Sequence, residues 1–141
     1  MIKPIDEAIK IASRSMNKKH LTGCVIANSG EVISNGWAHT GQWRRSNLYS
    51  VHAEIHALMR GKHQHLEGAT AHIACVAKKS GNVRNALPCL SCATALVGYG
   101  IEHAEYTVPT IGGYNTLLLY LPDAIESAQL KVYRGRDECK K

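Results

Sequence analysis

Two short segments of this chain carry the residue types best suited to chemistry. His52-Ala53-Glu54 sets an imidazole and a carboxylate two positions apart, and Pro88-Cys89-Leu90-Ser91-Cys92 sets two thiols one helical turn apart. One imidazole and two thiolates make a three-donor set for zinc that leaves the fourth tetrahedral position to water. A carboxylate beside that water can carry its proton while the metal lowers the water's pKa, as metal-assisted hydrolysis requires. Either segment alone is weak. A helical histidine is usually packed or on the surface, a glutamate in a first turn usually balances the helix dipole, and a lone C-x-x-C can be a redox pair. Their conjunction predicts His52, Cys89 and Cys92 as ligands of one Zn2+ per chain, with Glu54 as the catalytic proton carrier.

A rival set draws on His56. His52 and His56 are spaced i,i+4, and with Cys89 and Cys92 they would form a closed Cys2His2 site that stabilises the fold and does no chemistry. That reading makes a non-catalytic zinc domain and leaves Glu54 and Pro88 without a role. The spacing His52-Glu54-His56 is not the H-E-x-x-H arrangement of metalloproteases.

The elements that must position these groups can be read from periodicity. Apolar residues at Ile5, Ala8, Ile9, Ala12 and Met16, with Pro4 near the start, predict an amphipathic helix from Pro4 to Met16. Leu21 to Ala27 and Glu31 to Trp37 read as two strands of a hairpin joined at Asn28-Ser29-Gly30. His39 to Ser50 is polar and reads as a loop. A helix follows from Val51 to Arg60, then a strand from Ala69 to Ala77 and a basic loop from Lys78 to Leu87. Cys89 to Tyr99 reads as a helix with Pro88 at N1 and Gly100 at its end. Ile101 to Val108 is a further strand, Thr116 to Leu121 fits strand or helix, and Pro122 to Leu130 is weakly helical. The alternation predicts one α/β domain over residues 1–141. It places His52 at one helix start and both cysteines on the first turn of another, where the helix dipole favours thiolates.

Composition bounds the rest. A chain of 141 residues with 45% hydrophobic content can bury a core without disulfides. Five cysteines are an odd number without the spacing of a disulfide framework. Cys24 and Cys75 lie in apolar runs as small buried hydrophobes, and Cys139 lies in the charged tail. No apolar run reaches membrane-spanning length, and Met1 to Asp6 lacks the apolar core of a signal peptide, so a cytoplasmic protein without a membrane partner is expected. The formal charge of +6 suits an anionic partner, either a nucleotide phosphate or a nucleic-acid backbone.

The combined H-x-E and P-C-x-x-C pattern is that of zinc-dependent nucleobase deaminases. On these residues the chain resembles the cytidine deaminase superfamily, in the branch whose first ligand is histidine. His52 through Leu58 is similar to that branch. Pro88 to Val97, then Gly100-Ile101 and Tyr106-Thr107, are similar to its second site helix and the strand after it. The resemblance covers about residues 1–108. It implies a three-layer α/β/α fold with a mixed sheet of about five strands and a homo-oligomer, dimer or tetramer. Family members often place an asparagine just after the second strand to contact sugar or base. Here Ala38 and His39 follow Trp37, which leaves Asn35 or His39 for that contact.

The resemblance also implies the reaction: hydrolytic deamination of a cytosine nucleoside or nucleotide (cytidine, deoxycytidine, CMP or dCMP) with release of ammonia. The long polar stretch from Lys78 to Leu87 is similar to deaminases of free cytosine nucleotides. A base deaminase of RNA or single-stranded DNA, tRNA adenosine included, is the alternative that the charge favours. Candidate substrate contacts are Asn35, His39, Arg44, Arg45, Tyr49, Ala53 and Arg84. The arginines are guanidinium donors for a phosphate, and Tyr49, with Trp37 and Tyr106, is an aromatic surface for a base.

Overall fold

Each site segment follows a strand or ribbon and opens a helix, so the sheet decides where the chemistry sits. The computed structural model describes residues 2–15, 19–43 and 47–132 of the chain. Helix α1 runs Pro4–Ala12, with proline in its first turn, Asp6 and Glu7 at its positive end and Lys10 at its negative end. It stops short of the expected Met16. The amides of Ser13, Arg14 and Ser15 turn back to carbonyls three residues earlier, and the Ser13 hydroxyl donates to the Lys10 carbonyl at 2.7 Å. That tighter winding ends the helix.

Strands β1 (His20–Asn28) and β2 (Glu31–Trp37) form the expected hairpin. Its turn at Ser29 and Gly30 has φ of 53° and 83°, the primed geometry of tight hairpins. The expected loop from His39 to Ser50 is instead a second hairpin, β3 (His39–Trp43) with β4 (Asn47–Val51). Its sequence lacks the apolar alternation that marks a half-buried strand, and a separate two-stranded ribbon held by backbone hydrogen bonds does not need it. Helices α2 (Ala53–Arg60) and α3 (His63–Leu66) lead to β5 (Thr70–Ala77). Then come β6 (Val83–Arg84), inside the expected basic loop, and α4 (Leu90–Gly98), β7 (His103–Thr110), β8 (Gly113–Tyr120) and α5 (Leu121–Glu126).

The main sheet has six strands, β2-β1-β5-β7-β8 with β6 also paired to β5. The β5–β7 pair is parallel and the other pairs are antiparallel, so the sheet is mixed as expected. β5 pairs with β7 only from Thr70 to Ile73, and beyond that β6 takes over opposite Cys75 and Val76. The sheet therefore splits at the carboxyl ends of β5 and β7, the place where open α/β sheets form their binding crevices.

Thr107 closes the split. Fully buried, its hydroxyl donates to the Arg84 carbonyl at 2.8 Å and accepts from the Cys75 amide at 3.3 Å. Thr107→Val keeps the shape and removes both hydrogen bonds, at an expected loss of about 1–3 kcal/mol in urea unfolding.

Two cores flank the sheet. On one face α1 packs Ala8 and Ile11 against Val25 and Ala74. On the other, a larger cluster joins Cys24, Ile26, Ile73 and Cys75 to Ala53, Ala57, Ala93 and Leu96 of the site helices. This is the expected α/β/α layering, with Cys24 and Cys75 as buried free thiols. Cys139 lies outside the described residues. No helix among them is long and apolar enough to cross a membrane.

Helix α2 lies so close to β2 that a Cβ on Gly36 would come within 2.3 Å of the Ala57 nitrogen. Helix α4 ends in a Schellman motif: Gly100 (φ 87°) donates to Val97, and Ile101 donates to Leu96. The hydrophobic pair Leu96 and Ile101 is fully buried there.

Candidate active site

His52 and Cys89 are both N-cap residues with extended backbone (φ −72°, ψ 154° and φ −79°, ψ 167°). The helices thus start one or two residues later than their sequences suggest, and Pro88 precedes the cap instead of occupying N1. Extended backbone at the cap turns each side chain across the helix end, where the partial positive charge of the free amides lies. Cys92 stands three residues into α4 and brings its sulfur back to the same point.

The result is a cluster of three donors. His52 Nδ1 lies 3.2 Å from Cys92 Sγ and 3.5 Å from Cys89 Sγ. All three ligand atoms fall within 4.8 Å of one another, and both cysteines are almost wholly buried. The hydrogen bond with Cys92 is the main force on the Cys89 thiol, and with His52 it outweighs burial and lowers the pKa to about 4. A half-buried imidazole with a thiolate and a thiol converging on one point is a donor set that fits zinc.

Backbone contacts hold the cluster in place. The Leu90 amide, a free donor of the first turn of α4, is capped by the Lys131 carbonyl at 2.8 Å. The Ala86 amide donates to the Thr107 carbonyl at 2.9 Å, which fixes the approach to Pro88. The segment after α5, which carries no motif, therefore secures the cysteine turn.

His56 does not join the donors, so the closed Cys2His2 alternative is not what the fold builds. Because His52 is a cap and not a helical residue, the i,i+4 rule that would align the two rings does not apply. The His56 ring sits edge-on to Trp37 at 4.4 Å and to His39 at 4.5 Å, and its Nδ1 accepts the Trp37 amide at 3.1 Å. Burial first, then the nearby His39 and Arg60, lower its pKa below the ordinary 6.5. A lowered folded-state value means that the neutral ring stabilises the fold fully above about pH 6.5, and that this is lost as pH falls through the folded value. The urea midpoint should fall with acidification below that pH, and fall less steeply in His56→Gln, whose amide oxygen can still accept the Trp37 N–H.

Glu54, on the first turn of α2, is 2% exposed and lies outside the three-donor group. Its charge, after burial, is the second cause of the raised pKa of Cys24 on β1, so the carboxylate lies near the floor that β1 provides.

The candidate substrate contacts are dispersed. His39 stands one turn of α2 from His52, beside His56, with its Nδ1 2.9 Å from the Trp37 carbonyl. Asn35 Oδ1 accepts from Arg60, at the opposite end of α2 from His52. Ala53 is fully buried in the core. Arg84 lines a surface cavity of about 440 Å³ with Gly81, Pro109, Gly112 and Tyr114, and none of His52, Glu54, Cys89 or Cys92 borders it. Tyr49 stands opposite Gly41 in the second hairpin. Arg44 and Arg45 lie outside the described residues. Tyr106 belongs to the core.

Residues 3–108 match the family described as the cytidine and deoxycytidylate deaminase zinc-binding region. The chain belongs to that deaminase family. Within this span lie the whole donor cluster, Glu54 and the strands that floor the site. Among solved structures, the dCMP deaminase of cyanophage S-TIM5 is similar in its apo form, at 16% identity and a TM-score of 0.52 over 92% of this chain and 97% of that one. The same enzyme in complex with dCMP and dUMP gives 16% identity and a TM-score of 0.59 over 94% and 98%. RibD of Acinetobacter baumannii, form 2, is similar at 23% identity and a TM-score of 0.50. The match covers 94% of this chain and 34% of that one, so the deaminase-family chain spans about a third of RibD. At such identities the likeness is one of fold. No curated protein matches the chain at a significant level.

Proposed function

We propose that this chain is a zinc-dependent deaminase that hydrolyses the exocyclic amine of a cytosine nucleoside or its monophosphate. The observation that carries the reading is a buried carboxylate, Glu54, two residues after a donor of the His52-Cys89-Cys92 cluster and outside it. Zinc held by these three side chains supplies activation of a water molecule at neutral pH. Glu54 carries one proton from the attacking water to the ring nitrogen N3 and a second, from the hydroxyl newly formed at C4, to the departing amine. The C4–O bond forms, the C4–N bond breaks, and ammonia leaves a uracil carbonyl. His39, packed beside His56 of α2, takes the sugar contact, while Asn35 is engaged by Arg60. The family and the fold shared with a dCMP deaminase support a nucleotide-sized substrate.

The test is ammonia release by the zinc-loaded protein with cytidine, deoxycytidine, CMP, dCMP, adenosine and mixed tRNA. Turnover of one free cytosine compound, unaffected by excess RNA, is the expected result. Turnover confined to tRNA or to adenosine would overturn the substrate reading, and silence with every compound while zinc remains bound would overturn the enzymatic one.

A further inference from the structure

We propose that the free edge of β8 is the seam of a two-fold dimer, in which a second copy of this chain adds its own β8 antiparallel and continues the sheet. The family resemblance implies an oligomer without naming its surface, and this seam does not depend on the deaminase reading. β2 and β8 are the outer strands of the main sheet. The β2 edge is guarded. It begins with Glu31, its pairing with β1 shifts register at Ile26/Ala27, and its last amide, at Trp37, already donates to His56 Nδ1. β8 has none of these devices. Its eight residues, Gly113–Tyr120, include no charge and no proline, and they pair with β7 without a register shift. An unguarded strand edge of that length is a template for another strand.

Apolar side chains stand exposed on both faces of β8. Leu117 lies opposite Tyr106, on the face of the larger core, and is 51% exposed. Leu118 and Tyr120 lie opposite Glu105 and His103 and are 68% and 43% exposed. Theirs is the face that α1 reaches through the hydrogen bond from Tyr114 to Asp6. A helix laid on the sheet would cover one face only. A neighbouring strand covers both, because its side chains alternate across the seam. Charge selects a second copy as that neighbour. The chain carries +6, so two copies repel wherever basic surfaces meet. From Tyr106 to Pro122 it has no charged residue, and there β8 can meet itself without repulsion. The residues after Val132, with Arg134, Arg136, Asp137, Glu138, Lys140 and Lys141 among them, suit an apolar seam poorly. A two-fold axis normal to the sheet at Leu117 sets that residue against its copy, Thr116 against Leu118 and Tyr114 against Tyr120, each pair on one face. Eight residues make an edge about 26 Å long, which with side chains on both faces buries roughly 400–500 Å² per copy. The total, about 900 Å², lies at the low end for a specific interface and fits a weak dimer.

Sedimentation equilibrium of the zinc-loaded protein at about 100 µM, enough to populate a micromolar dimer, is the test. The wild type should show at least twice the chain mass of 15.4 kDa. Leu118→Lys, at the most exposed leucine of the strand, should halve the wild-type mass, because edge lysines oppose strand pairing. Val32→Lys adds the same charge to β2, at a position 44% exposed, and should leave the mass unchanged. Amide hydrogen exchange of the wild type serves if Leu118→Lys does not fold. Residues 113–120 should then exchange about tenfold or more slowly in concentrated than in dilute protein. A wild-type monomer at the working concentration, a mass that Leu118→Lys leaves intact, or an equal loss in Val32→Lys would overturn the seam. So would protection of residues 113–120 that persists in the dilute monomer, which assigns the edge to this chain's own residues.

Discussion

Replacement of Glu54 by Gln is expected to leave one zinc bound per chain while ammonia release falls by about 10²–10⁴-fold, the usual worth of a positioned proton carrier. Gln matches Glu in shape, so the site, where this residue is 2% exposed, keeps its packing. What it loses is the ability to accept a proton from water and return it to the substrate. The donor cluster contains no atom of Glu54, so metal content should not change. Zinc by chelator assay and ammonia by coupled assay, on the same samples, separate the two effects. Full turnover in Glu54→Gln would remove this residue from the mechanism, and loss of zinc would reassign it to holding the site together.

The second large effect is structural and begins away from the donors. Gly36→Ala places a Cβ 2.3 Å from the Ala57 nitrogen, 2.7 Å from the Ala53 carbonyl oxygen and 2.8 Å from the His56 carbonyl carbon. All three are backbone atoms of α2 and cannot rotate aside, so the helix must move off the sheet. Overpacking of this kind costs about 3 kcal/mol, or roughly 10 °C in Tm for a chain of this size. Because His52 caps that helix, its displacement also pulls the imzidazole ligand from the two sulfurs, and weaker zinc retention should accompany the lower Tm. Gly98→Ala, where nothing lies within 4 Å of the new Cβ, is the control that should keep both. A Gly36→Ala protein with unchanged Tm and zinc affinity would show that α2 does not depend on this contact.

Much of the architecture could be read in the chain because it rests on local physics. Apolar periodicity marked α1, the first hairpin and β5, and the Pro88 and Gly100 boundaries bracketed α4. What failed to show was structure without a local signature. The β3–β4 ribbon lacks apolar alternation, and β6 is two residues long inside a polar stretch. Thr107 is in sequence one more β-branched residue of an apolar strand, and its role exists only because β6 parts β5 from β7. Gly36 did carry a signal, since an isolated glycine within a strand marks close backbone approach, but the partner it admits is 17 or more residues away.

The donor types, their order, and the carboxylate two positions from the histidine were determined by the sequence alone, because ligand chemistry depends on side-chain identity and one-turn spacing. Which histidine belongs to the cluster was decided by tertiary structure. His52 and His56 are alike in the sequence, yet the cap geometry turns the first toward α4, while β2 draws the second to the Trp37 amide. The approach of Arg14 and Arg60 to the Trp37 ring, with guanidinium carbons 5.3 and 5.0 Å from its centroid, is likewise tertiary, since it brings the ends of two helices to one strand. Contacts between segments distant in sequence depend on how the layers pack, and no spacing within one segment encodes that.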